Sequence, residues 1–180
     1  MSEKNHGVRG TAPTRRQLIV GGAGTVAALV LGASTTRAQE TMSETQSTGP
    51  EGLLTSLHQE VDLKSSPHRI YDILLDSKQF TAFSGEPAKI SRAVGGPFSI
   101  FGSKIEGRNI ELVPDKRIVQ AWRPASWVPG EYTIVKFELK PEGSHTKLVL
   151  DHTGFHPGDF GHFDSGWRTH YWERLAKYLG

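Results

Sequence analysis

The fold of this chain is decided by the stretch Glu111-Leu112-Val113-Pro114-Asp115-Lys116-Arg117-Ile118-Val119-Gln120-Ala121-Trp122-Arg123. Its centre, Pro114-Asp115-Lys116, predicts a turn, because proline and aspartate both favour reversals of the chain. The turn joins two predicted strands, Lys104–Leu112 before it and Arg117–Arg123 after it. Apolar side chains occur on both faces of the first strand, which leaves open which face is buried. Trp122 supplies a large apolar ring near the end of the second strand.

Further strands are predicted on either side of this pair. Upstream, Pro87–Val94 and Phe98–Phe101 are bounded by glycine-rich segments that allow tight reversals. Downstream, Tyr132–Lys140 and Thr146–His152 flank the turn sequence Pro141–Ser144 and form a predicted hairpin. Most of the chain between residues 87 and 152 is therefore expected to be β-structure joined by short turns.

The two ends of the domain carry other patterns. Apolar and polar residues alternate from Ser56, which predicts a first strand, and Ser65-Ser66-Pro67 then supplies an N-cap and a helix-starting proline. This helix should end near Asp76, and a second short helix should end before Gly85. The final stretch has apolar residues every three or four positions, which predicts a long amphipathic helix. They are Phe160, Phe163, Trp167, Tyr171, Leu175 and Tyr178.

This order of elements predicts the α+β class. We expect a curved antiparallel sheet of about seven strands that wraps around the aromatic face of the last helix. Trp122 and Trp167 should then lie together at the junction of the sheet and that helix.

An ordered series of motifs runs from Gly96 to Trp167, and the resemblance described below extends over residues 57–180. Gly96-x-Phe98-x-x-Phe101-Gly102 is followed by Ile105-x-Gly107, by the central stretch of residues 111–123, by Trp127, and by Gly166-Trp167 near the start of the last helix. In this order the motifs resemble the C-terminal domain of the activator of the 90-kDa heat-shock-protein ATPase, within the START-like helix-grip superfamily, also called SRPBCC. The resemblance implies the helix-grip fold. That superfamily includes ligand carriers, cyclases, hydrolases and co-chaperones, so the activity has to be argued from the site.

The first 38 residues have the pattern of a twin-arginine export signal. Arg15 and Arg16 precede the uncharged segment Leu18–Gly32, and Thr36-Arg37-Ala38 suits a signal peptidase that cuts after Ala38. We therefore expect export of the folded protein to the periplasm or an equivalent compartment. A retained membrane anchor is the alternative, but this segment of about fifteen residues is shorter than the roughly twenty that a span needs.

Composition divides the chain further. Residues 39–51 have almost no large apolar groups and are predicted to be a disordered linker, whereas residues 52–180 form one START-like domain. Residues 1–38 hold five of the 21 basic and one of the 19 acidic side chains, which leaves 16 basic and 18 acidic ones behind them. The excess of basic side chains that would favour a nucleic-acid partner therefore lies in residues 1–38 and not in the domain behind them. The absence of cysteine excludes disulfides, thiolate metal sites and thiol nucleophiles.

Aromatic side chains are the main functional candidates. They should cluster where the sheet meets the last helix, where they would either line a cavity for an apolar ligand or form a solid core. His152, at the end of a predicted strand, is a candidate polar contact to a ligand. The cavity candidates are Phe83, Phe98, Trp122, Trp127, His152, Phe155, Trp167 and Tyr171.

These observations predict an exported, non-enzymatic binding domain. Its partner would be an apolar small molecule or another protein, without a cofactor, a metal, nucleic acid or a permanent membrane span after signal removal. A metal site at His152-x3-His156-x5-His162 is disfavoured, because His152 ends a predicted strand and His156-Pro157 opens a turn, so the i, i+4 spacing of His152 and His156 does not fall on a helix.

Two other functions stay open. A cavity enzyme of the cyclase or hydrolase type would use His152 and a carboxylate as its acid–base pair, although no nucleophile elbow, phosphate loop or carboxylate dyad is visible. The family resemblance implies a co-chaperone that stimulates a chaperone ATPase. In the family this role depends on an additional N-terminal domain, which this chain is expected to lack, and on an ATP-driven chaperone, which exported compartments lack.

Overall fold

The structure, a computed structural model, describes residues 53–180. The predicted export signal (residues 1–38, with Arg15, Arg16 and Ala38), the predicted linker (residues 39–51) and Gly52 lie outside the described residues. Among residues 53–180, no helix has the length and apolar character needed to cross a membrane.

Seven strands pair in one antiparallel sheet, which confirms the predicted fold class. They are β1 (Ser56–Leu63), β2 (Lys89–Ile90), β3 (Pro97–Ile100), β4 (Ile105–Val113), β5 (Arg117–Pro124), β6 (Thr133–Glu142) and β7 (His145–Thr153). The strand order is β1-β7-β6-β5-β4-β3-β2, so the first strand pairs with the last one along the chain. The predicted hairpin is β6–β7, in which Phe137 lies opposite Leu150 and Leu139 opposite Leu148.

Two short helices follow β1, as predicted. In α1 (Pro67–Leu75) the hydroxyl of Ser66 accepts a hydrogen bond from the backbone N–H of Arg69, and Pro67 occupies the first position. Asp76 ends α1 and caps α2 (Ser77–Ser84), and Gly85 ends α2 with φ of 74°.

The C-terminal helix has a structure that its sequence did not predict. It consists of α3 (Phe160–Gly166), a π-helical segment (Trp167–Trp172) and α4 (Glu173–Leu179). The N–H of Glu173 bonds to the carbonyl of Arg168, five residues back, where an α-helix would use the fourth. The wider turn brings Trp167, Tyr171 and Trp172 into the buried layer together.

The predicted strand Pro87–Val94 is wrong for most of its length, since only Lys89–Ile90 pairs with β3. The side-chain amide of Asn109 donates to the carbonyls of Ser91 (2.7 Å) and Ala93 (3.2 Å). These carbonyls are thus satisfied by a side chain, and the segment leaves the sheet after Ile90.

A β-bulge explains why β4 has apolar residues on both faces. Asn109 pairs with Gln120 and Glu111 with Val119, so Ile110 is the extra residue and is 46% exposed. Asn109 is buried, and beyond the bulge Leu112 packs against the same core. The inward face therefore changes parity within one strand.

The core lies between the concave face of the sheet and the helices. The rings of Trp122 on β5 and Trp167 on the C-terminal helix have centroids 5.0 Å apart, which confirms the predicted junction. Gly107 on β4 faces Phe98, and a Cβ at this position would overlap both the Phe98 ring and the carbonyl of Ala121.

Candidate ligand site between the sheet and the C-terminal helix

A pocket of about 280 Å³ lies between the β3–β4 turn and the C-terminal helix. This volume is close to the lower end of the range for small-molecule sites, roughly 300–1,000 Å³. Its apolar wall consists of Phe101, Ile105, Trp122, Phe163, Gly166, Trp167 and Tyr171. Its polar wall consists of Glu86, Lys104, His162 and His170.

The β3–β4 turn forms one wall through an uncommon backbone conformation. Phe101, Gly102 and Ser103 all have left-handed φ values, of 53°, 65° and 70°. For the two residues that are not glycine this conformation is unfavourable and has to be supported by the surroundings. The N–H of Gly102 bonds to the carbonyl of Pro87 (2.9 Å), and the hydroxyl of Ser99 bonds to that of Ser103 (3.0 Å). The turn thereby holds the Phe101 ring against the pocket.

The C-terminal helix forms the opposite wall with two parallel rows of residues. His162, Gly166 and His170 make one row, and the second row, in steps of four as well, is Phe163, Trp167 and Tyr171. Gly166 has an ordinary helical φ of −59°, and a Cβ at this position would have no atom within 4 Å. The glycine therefore leaves open space in the wall that a larger side chain would occupy.

The charged groups of the wall form one ion pair. Lys104 Nζ lies 2.8 Å from Glu86 Oε2, and the lysine side chain is 71% exposed. His162 and His170 are exposed as well. The polar groups of the wall thus include several that are accessible to solvent, next to an aromatic interior.

His152 lies behind this wall in a directed chain of hydrogen bonds. Trp167 Nε1–H donates to His152 Nδ1 (3.1 Å), so the other nitrogen carries the proton and donates to the hydroxyl of Thr133 (2.8 Å). That hydroxyl donates to the carbonyl of Trp122 (3.3 Å). Burial lowers the pKa of His152 to about 3, because the charged imidazolium would lose its water shell.

The other two buried tryptophans also have polar partners. Trp122 Nε1–H donates to the side-chain oxygen of Gln120 (2.8 Å), whose amide donates to Asn109 (2.8 Å). Trp172 Nε1–H donates to the side-chain oxygen of Gln59 on β1 (2.6 Å). The buried polar residues of the sheet thus serve to orient the indole rings.

The structure brings three of the predicted cavity residues to the pocket: Trp122, Trp167 and Tyr171. The other five lie elsewhere. Phe83 packs on Tyr171 (5.5 Å between centroids) and Phe98 on Trp122 (6.0 Å), both outside the pocket wall. His152 and Phe155 are buried behind it, and Trp127 stacks on His156 with centroids 4.1 Å apart.

Eight wall residues were not among the predicted cavity candidates: Glu86, Phe101, Lys104, Ile105, His162, Phe163, Gly166 and His170. The four on the helix had a signal, because Phe163 belongs to the aromatic row and each of the others directly precedes a member of it. In and around the β3–β4 turn, Phe101 and Ile105 belong to the motif series, but no pattern places them in a pocket wall. Their place in the wall depends on a contact between distant segments.

The three histidines considered as a metal site lie apart from one another, and His152 also lies apart from its neighbouring carboxylate, Asp151. His156 lies in a surface loop near Glu131 (3.4 Å), whereas His152 is buried and His162 belongs to the pocket. Within residues 53–180, no three His, Asp or Glu side chains are grouped to hold a metal ion. Asp151, next to His152 in the chain, points to the opposite face of the sheet and contacts His58 (2.7 Å) and Lys136 (2.9 Å).

Comparisons with known proteins agree with this architecture. Residues 64–180 match the family described as Activator of Hsp90 ATPase homolog 1-like protein. The activator of 90 kDa heat shock protein ATPase homolog 1 of Homo sapiens is 26% identical over 116 residues, which are 64% of this chain and 34% of the human protein. The homolog of Dictyostelium discoideum is 28% identical over 63% of this chain and 30% of its own length. The chain thus spans about a third of these relatives.

Solved structures show the same fold. An HSP90 activator from Plasmodium falciparum has a TM-score of 0.67 and 25% identity, over 71% of this chain and 97% of that one. The Aha1 dimer from Colwellia psychrerythraea has a TM-score of 0.60 and 20% identity, over 70% of this chain and 96% of that one.

Proposed function

Since the chain belongs to the Activator of Hsp90 ATPase homolog 1-like family, we propose that it is a non-enzymatic binding domain that holds an apolar small molecule in the pocket between the β3–β4 turn and the C-terminal helix. The observation that carries the proposal is the aromatic wall of that pocket, formed by Trp122, Trp167, Tyr171 and Phe101. Rings held in place by hydrogen bonds and packing form a rigid apolar surface, which lowers the entropy lost on binding.

The acid–base chemistry of the enzyme alternative has no support at His152. Its pKa of about 3 makes it a very weak base, and its two nitrogens are used by Trp167 and Thr133. A general base has to reach the proton that it removes, with a pKa near the working pH. His152 is better explained as a positioning residue for Trp167.

Export of the domain is part of the proposal. Arg15 and Arg16, the uncharged segment after them and the small residue Ala38 support export through the twin-arginine route. A domain without cysteine needs no oxidising compartment to fold, which is compatible with folding before translocation.

Blocking the pocket tests the proposal. The protein is purified from its own exported compartment and studied by native mass spectrometry, which detects ligands retained without covalent bonds. We expect the wild type and Gly161→Leu to carry a bound small molecule and Gly166→Leu to lack it. Both glycines lie in α3 with open space around a new Cβ, but only Gly166 belongs to the pocket. Equal ligand content in the two variants would contradict the proposal.

A co-chaperone is the second candidate, because the similar proteins are described as activators of the 90-kDa heat-shock-protein ATPase. The test is the ATPase rate of a purified 90-kDa heat-shock protein with and without the full chain. Our proposal expects an unchanged rate. A saturable increase that persists in Gly166→Leu would favour the co-chaperone function on a surface other than the pocket.

A further inference from the structure

The aromatic wall of the pocket contains three side chains with a polar atom, and two of these atoms are already used. Trp122 donates its N–H to Gln120, and Trp167 donates its N–H to His152. Neither group is left for a ligand. The third is the hydroxyl of Tyr171, in the middle of the C-terminal helix.

The Tyr171 hydroxyl has no hydrogen-bond partner among the described residues, although the residue is only 3% exposed. Within the same residues, no side-chain polar atom that is fully shielded from solvent lacks a partner. The hydroxyl oxygen therefore keeps some solvent exposure, and the pocket is the space that Tyr171 lines. In a structure where the neighbouring polar atoms are paired, a free and nearly buried donor is unusual.

The surroundings of this hydroxyl favour a neutral partner. The Tyr171 ring is enclosed by Phe80, Phe83, Phe101 and Phe137, with centroids 5.5 to 6.0 Å away. Burial raises the pKa of the phenol, so it stays protonated and can donate. Lys104, the lysine that lines the pocket among residues 53–180, is paired with Glu86. A carboxylate next to Tyr171 would lose its water among these aromatic rings, which is unfavourable, whereas a neutral carbonyl avoids that cost.

We propose that the ligand of this pocket is an apolar molecule with a neutral carbonyl group, and that the Tyr171 hydroxyl donates a hydrogen bond to that carbonyl. This inference rests on the proposed function of the pocket and adds the chemical class of the ligand. Tyr171 then determines specificity. A hydrocarbon of the same shape binds less well, because it leaves the hydroxyl unpaired.

The test uses two probes of closely similar shape, 2-acetylnaphthalene and 2-isopropylnaphthalene, with calorimetric titration into the full chain. One net hydrogen bond corresponds to a preference of roughly three- to tenfold for the ketone. Tyr171→Phe should bring this ratio close to one by weakening the ketone alone. Its thermal midpoint should stay unchanged, because the lost oxygen has no bond to the protein.

A spectroscopic measurement reports the bond directly. The infrared carbonyl band of bound 2-acetylnaphthalene should lie at a lower frequency in the wild type than in Tyr171→Phe, since a donated hydrogen bond weakens the C=O bond. Tyr178→Phe is the matched control. Tyr178 lies on the same helix and packs near Phe83 (6.5 Å) but does not line the pocket, so both the ratio and the band should match the wild type.

Gly166→Leu distinguishes a failure of the role assigned to Tyr171 from a failure of the pocket as the binding site. If it weakens both probes while Tyr171→Phe leaves their ratio unchanged, the pocket binds ligands and the role of Tyr171 is wrong. If neither probe binds the wild type, or if both bind Gly166→Leu as well as the wild type, the pocket is not the binding site and the proposed function fails with this inference.

Discussion

His152 is neutral and fully engaged on the inner face of β7, and its protonation is coupled to the stability of the fold. Its Nδ1 accepts from Trp167, and a proton placed there would face the indole N–H. Burial lowers its pKa from 6.5 to about 3. Below pH 6.5 the unfolded state therefore binds a proton that the folded state does not bind.

We predict that stability falls as the pH is lowered from 6.5 towards 3. A group with a lowered pKa in the folded state contributes stability above its unfolded pKa, and the slope should approach roughly 1.4 kcal/mol per pH unit below pH 6. His58 and His68 have raised pKa values from their carboxylate partners, so their contributions are lost as the pH rises and have the opposite sign.

Chemical denaturation of the wild type and of His152→Gln between pH 6.5 and 5 measures this effect. Above pH 5 few carboxylates are protonated, so the difference between the two curves reports His152. The glutamine variant should show a clearly smaller slope. Identical slopes would mean that His152 is protonated in the folded protein.

Trp167 is the residue through which the helix contacts the sheet, and we predict that Trp167→Ala is severely destabilised. Its ring is buried against Trp122 (5.0 Å) and Tyr171 (4.7 Å), and truncation of such a ring typically costs roughly 3–5 kcal/mol. If the variant still folds, the enlarged pocket should take up more apolar dye. Trp127→Ala is the comparison, since Trp127 is half-buried and should cost less. Unchanged stability and dye uptake in Trp167→Ala would contradict this placement.

At the scale of elements, the sheet and the C-terminal helix are connected by hydrogen bonds from the indole rings. Trp167 contacts β7 through His152, and Trp172 contacts β1 through Gln59. Both bonds require the π-helical segment, because Trp167 and Trp172 are five residues apart and a regular α-helix would turn them away from each other. The π-helical segment thus allows the Trp167 and Trp172 rings to contact the sheet while Tyr171 lines the pocket.

Substitution of Gly107 tests the close packing of β4 against Phe98 and β5. We predict that Gly107→Ala lowers the free energy of unfolding by about 1–3 kcal/mol, as is typical of overpacking, because the new methyl group would overlap the Phe98 ring and the Ala121 carbonyl. Gly161→Ala has open space in α3 and should be neutral or stabilising by up to about 1 kcal/mol. A midpoint shift of similar size and sign in both variants would contradict the close approach at Gly107.

At the scale of the whole molecule, the proposal joins two parts of the chain with different tasks. Residues 1–38 would direct the folded protein out of the cytoplasm, and residues 53–180 would bind the ligand there. An apolar ligand that contacts the aromatic wall of the pocket is shielded from water in any compartment. The pocket and the export signal can therefore be tested independently.

We predict that replacement of Arg15 and Arg16 by lysine leaves the precursor in the cytoplasm, because twin-arginine translocation depends on that pair. Cell fractionation and intact-mass measurement provide the readout. The wild-type chain should be recovered outside the cytoplasm with Gln39 as its first residue. Normal export of the Lys-Lys variant would remove the basis for this localisation.

Several features were predictable because they depend on local pattern. The turn at Pro114-Asp115-Lys116, the β6–β7 hairpin and the aromatic stripe that begins at Phe160 follow from turn chemistry and from periods of two or three to four. The contact between Trp122 and Trp167 followed too, since each lay on the apolar side of its element at the same end of the fold.

Other features depend on contacts between distant segments, and only the tertiary structure decided them. Asn109 removes Ser91 and Ala93 from the sheet, and the bulge at Ile110 changes the buried face of β4. Neither the contacts of Asn109 nor the bulge produces a periodic pattern of apolar residues that could be recognised in the sequence. The pocket lies between the β3–β4 turn and the helix, with open space at Gly166, and within residues 53–180 the Tyr171 hydroxyl has no hydrogen-bond partner. Sequence pattern determines which side chains turn inward, whereas the space left between them depends on how whole elements pack.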